Sequence, residues 1–234
     1  DTPASSSPFP AQSVEVANKT FGAASGVLYN ENGLQIGLKV VAGTGAQCKM
    51  IMYYGNKTGD DMGRVRLELQ QTPAVKLQTK PAEMTVPNNK QLPHYLLWTS
   101  QRPATDTPVI NLTFSHNGSE VELALKVPVH LNQFTTPLET DPAGFIAGWK
   151  ANAAAEMKVI KAPTVVTKDD LKKRVQTGLH LSVIEGCEKD PKNFSAAGNF
   201  NSAGASAMPL YMRFETKPGS PYTRVSVHSG HKSL

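Results

Sequence analysis

The chain has 234 residues, 39% of them hydrophobic and 18% charged, with 18 Gly, 17 Pro and a formal net charge of +5. That length holds one large or two small domains, each with a core of its own, and no window approaches the ~18 apolar residues of a membrane-spanning helix. Cys48 and Cys187 stand far apart, which excludes a small disulfide framework, and the dispersed Lys and Arg leave no nucleic-acid footprint.

Residues 1–20 are rich in Pro and Ser and poor in large apolar side chains, so they read as a flexible linker. From Gly26 onward short alternating runs begin. Val27–Tyr29 and Leu34–Val40 flank Asn32-Gly33, a hairpin turn signal. Further strands are expected over Cys48–Tyr54, Val65–Leu69, Ala74–Leu77, Tyr95–Thr99, Pro108–Phe114 and Val121–Val129, separated by segments rich in Gly, Pro, Asn or Asp. Seven or eight short strands over roughly 115 residues, with no helix among them, predict an antiparallel β-sandwich of immunoglobulin-like architecture. The pattern changes near residue 140, so the expected organisation is a linker over 1–20, a sandwich over 21–135 and an α+β unit over 136–234.

Asp141-Pro142 opens the second unit as a helix start, because the Asp side chain accepts from free amides and Pro fits the first turn without wasting a donor. Phe145, Ile146 and Trp149 fall on one face of a helix expected to reach about Ile160. Trp149 is then either ordinary core or the wall of a partly open pocket. Thr167 starts a second helix, with Asp169 and Asp170 in its first turn and Lys172-Lys173-Arg174 expected near its end as complement to the helix dipole.

Leu179–Ile184 alternates as a strand, whereas 193–207 is rich in Gly, Ala, Ser and Asn and less regular. A final hairpin is expected over Leu210–Glu215 and Tyr222–Val227. Pairing Glu215 with Tyr222 gathers the apolar side chains on one face and sets Arg213 opposite Arg224 on the other, near enough to share one anion. Alternatively each arginine takes a local acid, Glu215 or Glu156. An aromatic helix face beside the two arginines would make an apolar slot with a cationic rim, suited to peptides carrying an aromatic next to Asp or Glu.

Nucleophile elbow, zinc-protease, Cys-x-x-Cys, phosphate-loop and dinucleotide signatures are lacking, and Gly43-Thr44-Gly45 has no helix after it. His228 and His231 are the one pair at metal-ligand spacing, in what reads as a polar tail. Neither enzymatic activity nor a cofactor is expected. Five Asn-x-Ser/Thr sequons, at Asn18, Asn56, Asn111, Asn117 and Asn193, leave a secreted or cell-surface immunoglobulin-like binding protein as the alternative.

Leu34-Gln35-Ile36-Gly37-Leu38-Lys39, Tyr54-Gly55-Asn56-Lys57-Thr58, Leu77-Gln78-Thr79-Lys80-Pro81 and Phe145–Lys150 occur in the order in which similar stretches occur in the C-terminal appendage, or ear, of alpha-adaptin, the large subunit of the plasma-membrane clathrin adaptor. The chain resembles that family from about Phe21 to Val227. The resemblance implies an immunoglobulin-like sandwich followed by an α+β platform, working as a non-enzymatic module at clathrin-coated pits. It would recruit endocytic accessory proteins through Asp-Pro-Phe/Trp and Phe-x-Asp-x-Phe motifs on the platform and Trp-x-x-Phe motifs on the sandwich. By the same resemblance the platform site maps to Phe145, Ile146, Trp149, Glu156, Arg213 and Arg224, and the sandwich site to Tyr53, Gly55 and Gln91.

This chain departs from the family in having Ile146 where an aromatic ring stands three residues before the Trp, and Tyr53 in place of a Phe. The stretch after Trp149 is slightly shorter, and the chain ends at Leu234 where the family continues into a helix. The other adaptor subunits would be partners through the rest of a parent chain, with no nucleic acid bound and no membrane insertion. The appendage itself is expected to be monomeric and cytoplasmic, peripheral at the plasma membrane.

Overall fold

A computed structural model of the chain describes residues 25–234 apart from 71, 81–82, 105–106, 117, 153 and 232–233; the expected linker lies outside them. The chain divides into two compact units: one runs to His130 except for 43–47 and 100–105, and those two segments join the second, Leu131–Leu234.

The first unit is built from nine strands: β1 (Ser25–Glu31), β2 (Leu34–Thr44), β3 (Gln47–Asn56), β4 (Met62–Leu69), β5 (Val75–Thr79), β6 (Met84–Val86), β7 (Gln91–Ser100), β8 (Val109–His116) and β9 (Ser119–Lys126). They form two sheets, in the orders β1-β2-β3-β7-β5 and β6-β4-β8-β9. The first hairpin turns where the sequence predicts: Asn32 and Gly33 take φ of 50° and 71°, the left-handed pair that matches the twist of a two-residue hairpin. The core comes from alternate residues of both sheets. Ile36, Met50, Tyr54 and Trp98 from one and Val65, Ile110 and Phe114 from the other are at most 1% exposed. This is the immunoglobulin-like sandwich.

Asn56 closes β3 inside that core, 3% exposed. Its Nδ2 donates to the carbonyls of Asp60 (2.8 Å) and Val86 (2.9 Å), and its Oδ1 accepts from the Thr58 amide at 2.9 Å. The sequon at this position therefore serves a turn, since no face of the amide is left for a glycan.

The second unit contains a 3-10 turn (Leu131–Phe134), β10 (Thr135–Pro137), α1 (Pro142–Ala151), β11 (Ala154–Lys161), α2 (Lys168–Gly178), β12 (Ser182–Ile184), β13 (Phe194–Phe200), β14 (Met208–Thr216) and β15 (Tyr222–Ser229). Its antiparallel sheet runs β10-β13-β14-β15-β11, with β12 also paired to β13. Both helix starts follow their caps. Asp141 Oδ1 accepts from the Gly144 amide at 2.7 Å with Pro142 in the first turn, and Thr167 Oγ1 accepts from the Asp170 amide at 3.1 Å.

Two elements differ from expectation. The first helix stops at Ala151, capped by Asn152, and residues 154–161 form a strand instead of continuing to Ile160. Their letters favour helix, but pairing from Ala154↔Ser229 to Lys161↔Tyr222 overrides that local preference. The stretch after Asn193 holds β13, whose seven residues are buried except Asn199. Its small side chains let neighbours close in from both sides: a Cβ on Gly198 would overlap Leu181 and lie 3.1 Å from the Thr136 carbonyl.

Alternation along β13 and β14 gives the sheet two apolar faces. Ala196, Leu210 and Phe214 pack with Val175 of α2, while Ala197 and Tyr211 pack with Phe145 of α1. The basic run Lys172–Arg174 is placed mid-helix, not in the last turn of α2, so it does not complement the C-terminal dipole; Lys172 instead pairs with Glu185 at 2.6 Å.

Candidate functional site

The candidate site lies on the α1 face of the second unit's sheet. Gly148 lets the helix come close, since a Cβ there would overlap the ring of Tyr211. Phe145, 4% exposed, meets that ring edge-on at 5.5 Å and stacks with Trp149 at 5.8 Å. Trp149 is half-buried, and its indole lies on the imidazole of His228 with centroids 3.9 Å apart and planes at 21°. His228 Nδ1 lies 2.8 Å from the Trp149 carbonyl and 3.1 Å from the Asn152 carbonyl. Both partners are acceptors, so Nδ1 carries the proton and donates. One histidine of β15 thus caps the end of α1 and supports the indole; it is no part of a polar tail.

Gly148→Ala is expected to lift α1 from the sheet, costing about 1–3 kcal/mol in urea unfolding and spoiling the seat of Trp149. An unshifted denaturation midpoint would show that the helix and Tyr211 separate freely.

A cleft of about 430 Å³ opens beside Trp149. Phe145, Ile146 and Trp149 line it from α1, Cys187 to Asp190 from the 185–193 loop, and Arg213 from β14. Ile146 is 45% exposed and forms an apolar rim. Arg213 and Glu188 make the polar wall: Nε and Nη2 donate to the two carboxylate oxygens at 2.7 Å each, the bidentate fork of a strong ion pair. Ser195, directly across the ladder from Arg213, donates to the same carboxylate at 2.6 Å.

The Arg213 guanidinium, and Ser195 after it, hold the Glu188 carboxyl below the usual carboxylate range against the opposing effect of burial. The Cys187 thiol is pushed up, first by burial and then by the charges of Glu188 and Asp141.

The expected register of the last hairpin is corrected by two residues. Glu215 pairs with Arg224, Phe214 with Val225 and Arg213 with Ser226, so the two arginines are not opposite each other. Arg224 Nε donates to Glu215, and the pair lies outside the lining of the cleft. Glu156 is also away from it: opposite Val227 on β11, it shares the sheet face that α2 covers and pairs with Lys158 at 2.8 Å. Glu215, one of the two local acids expected, serves both arginines, lying 3.7 Å from Arg213 Nη1, but the acid that takes the fork of Arg213 is Glu188. Only its place in an acidic loop just ahead of β13 could have suggested it from sequence.

On the sandwich, Tyr53 and Gly55 alternate with the buried Met52, Tyr54 and Asn56, so both face outward from β3. Gln91 begins β7, exposed, directly after Lys90, whose carbonyl accepts from the Asn56 amide at 3.0 Å. These residues therefore gather at one end of the β3–β7 pair. Gly37 of β2 belongs with them, since a Cβ there would lie 3.7 Å from the Tyr53 Cβ.

Residues 24–128, just under half of the chain, match the family described as adaptin C-terminal domain. The likeness continues through both units: the chain is 25% identical over 214 residues to the AP-2 complex subunit alpha-2 of Dictyostelium discoideum and 26% identical over 213 residues to that of Arabidopsis thaliana. These alignments take in 89% and 90% of this chain but 21% of each relative, so the chain spans about a fifth of their length. Among solved structures, the GAE domain of GGA2p from Saccharomyces cerevisiae is similar over 45% of this chain and 96% of its own, at 11% identity and a TM-score of 0.40. The chain is thus similar to the alpha subunits of AP-2 over both units, and to the adaptin C-terminal domain over the first.

Proposed function

We propose that this chain is a non-enzymatic recruitment module of a clathrin adaptor large subunit, binding short aromatic and acidic motifs in disordered segments of endocytic accessory proteins. One observation carries the reading: Trp149 stands half-buried at a cleft with an aromatic side on α1 and a polar wall opposite, braced by Phe145 and His228 and bordered by Arg213. A supported, partly open indole is what a peptide aromatic needs as a partner, because its contact area is preorganised and little entropy is lost on binding. Asp-Pro-Phe/Trp and Phe-x-Asp-x-Phe motifs would seat a ring against Trp149 and Ile146, with the acid toward Lys189 and the solvent side of Arg213. Trp-x-x-Phe motifs would use Tyr53, Gly55 and Gln91 on the sandwich.

The module would act at the cytoplasmic face of clathrin-coated pits, joined to the other adaptor subunits through the rest of its parent chain. It would need no cofactor and work as a monomer. Each motif would bind weakly, and strength would come from several at once.

Pull-down with immobilised Asp-Pro-Trp and Trp-x-x-Phe peptides tests the assignment. Trp149→Ala is expected to lose the first and keep the second, and Tyr53→Ala the reverse. Retention of both peptides by both variants would overturn it.

A further inference from the structure

An arginine beside an aromatic slot invites an acidic ligand, but Arg213 is not a vacant anion receptor. Glu188 already takes its fork through Nε and Nη2, in the geometry by which a guanidinium would hold a ligand carboxylate. Nor is Glu188 a loose gate. Its side chain is 9% exposed, and it is anchored a second time by Ser195, which has no exposure at all. The remaining Nη1 of Arg213 sits 3.7 Å from Glu215, and Glu215 in turn accepts from Arg224. Glu188, Arg213, Glu215 and Arg224 therefore form a continuous chain of two carboxylates and two guanidiniums with no net charge. Lys189 and Asp190, both exposed in the lining, add one charge of each sign.

We propose that Glu188 determines the specificity of this cleft: as a built-in carboxylate in the arginine's fork, it makes the cleft select peptides by their aromatic side chain. Whether the neighbouring residue is an acid or its neutral amide then matters little. The ligand class is an aromatic-anchored peptide with a small polar residue, charged or neutral, beside the ring. This inference rests on the peptide-binding reading of the cleft and relaxes its requirement for an acid.

The test is a titration of Asp-Pro-Trp and Asn-Pro-Trp peptides against wild type and Glu188→Gln, by fluorescence anisotropy at about 50 and about 200 mM salt. In wild type the acid should be preferred by no more than about fivefold, as for a solvent-screened ion pair, with little dependence on salt. Glu188→Gln frees a guanidinium charge at the cleft, so affinity for the Asp peptide should rise about tenfold or more. Affinity for the Asn peptide should stay as it was, and the gain should shrink at the higher salt.

Wild-type preference for Asp above about tenfold, or an unchanged Asp/Asn ratio in Glu188→Gln, overturns the proposal. Should circular dichroism show that variant unfolded, the wild-type ratio and its salt dependence decide alone. If neither peptide binds wild type or variant, the peptide-binding reading itself falls, an outcome distinct from binding without discrimination.

Discussion

Trp149→Ala will lose about 2 kcal/mol or more of affinity for an Asp-Pro-Trp peptide, roughly thirtyfold, while the second unit keeps its fold. The two parts of this expectation have separate causes. Affinity falls because the indole is the one large aromatic surface of the cleft that is partly open, and it is held by Phe145 at 5.8 Å and by His228 at 3.9 Å. A loose side chain in its place would have to be ordered at each binding event. The fold survives because the core under α1 is made by Phe145, Ile184, Ala197 and Tyr211, all buried, with Trp149 packed only at its edge. Phe145→Ala is the contrasting variant. It would remove a 4% exposed ring and cost about 3–5 kcal/mol of stability, so its loss of binding would say nothing about contact. Isothermal titration with far-UV circular dichroism separates the cases: a folded Trp149→Ala protein with an undiminished isotherm would exclude the cleft as the peptide site.

How much of this could be read from the chain depends on how local the chemistry is. Both helix starts were legible because caps act within four residues: Asp141 with Gly144, Thr167 with Asp170. Phe145 and Trp149 could be placed together by helical period alone. The last hairpin was legible as to faces but not partners. Alternation separates Phe214, Met212 and Leu210 from Arg213 and Tyr211, and a slip of two residues leaves that separation intact while giving Arg224 to Glu215.

Where non-local pairing decides, letters mislead. Residues 154–161 are helix-forming in composition and become an edge strand against β15, which turns Glu156 to the far side of the sheet. Glu188 was invisible for a related reason. It lies 25 residues from Arg213 in an irregular loop, and only the Ser195↔Arg213 register brings them together.

Arg213→Ala should cost about 2 kcal/mol of stability in urea unfolding at neutral pH, whereas Arg224→Ala should cost no more than about 1 kcal/mol. The difference lies in what each leaves behind. Arg224 is 51% exposed and its partner Glu215 keeps access to water, so the pair is screened. Removing Arg213 strands a carboxylate that is 9% exposed, with Ser195 as its remaining donor. Breaking a fully buried pair costs about 3–5 kcal/mol, and the 41% exposure of Arg213 brings the expectation down.

The pH dependence gives the deficit a signature. In wild type the folded-state pKa of Glu188 is depressed, so the pair's contribution is complete above the unfolded carboxyl value, about 4.3, and is lost as pH falls through the folded one. Without Arg213 that contribution is gone at every pH. The gap between wild type and Arg213→Ala should therefore be widest near pH 7 and close progressively below about pH 4. Adding Glu188→Gln to Arg213→Ala should recover much of the loss at neutral pH, because the stranded charge is then neutral. Equal, pH-independent losses for Arg213→Ala and Arg224→Ala would show instead that Glu188 finds water in the folded protein, and that the ion pair is not what holds the polar wall of the cleft.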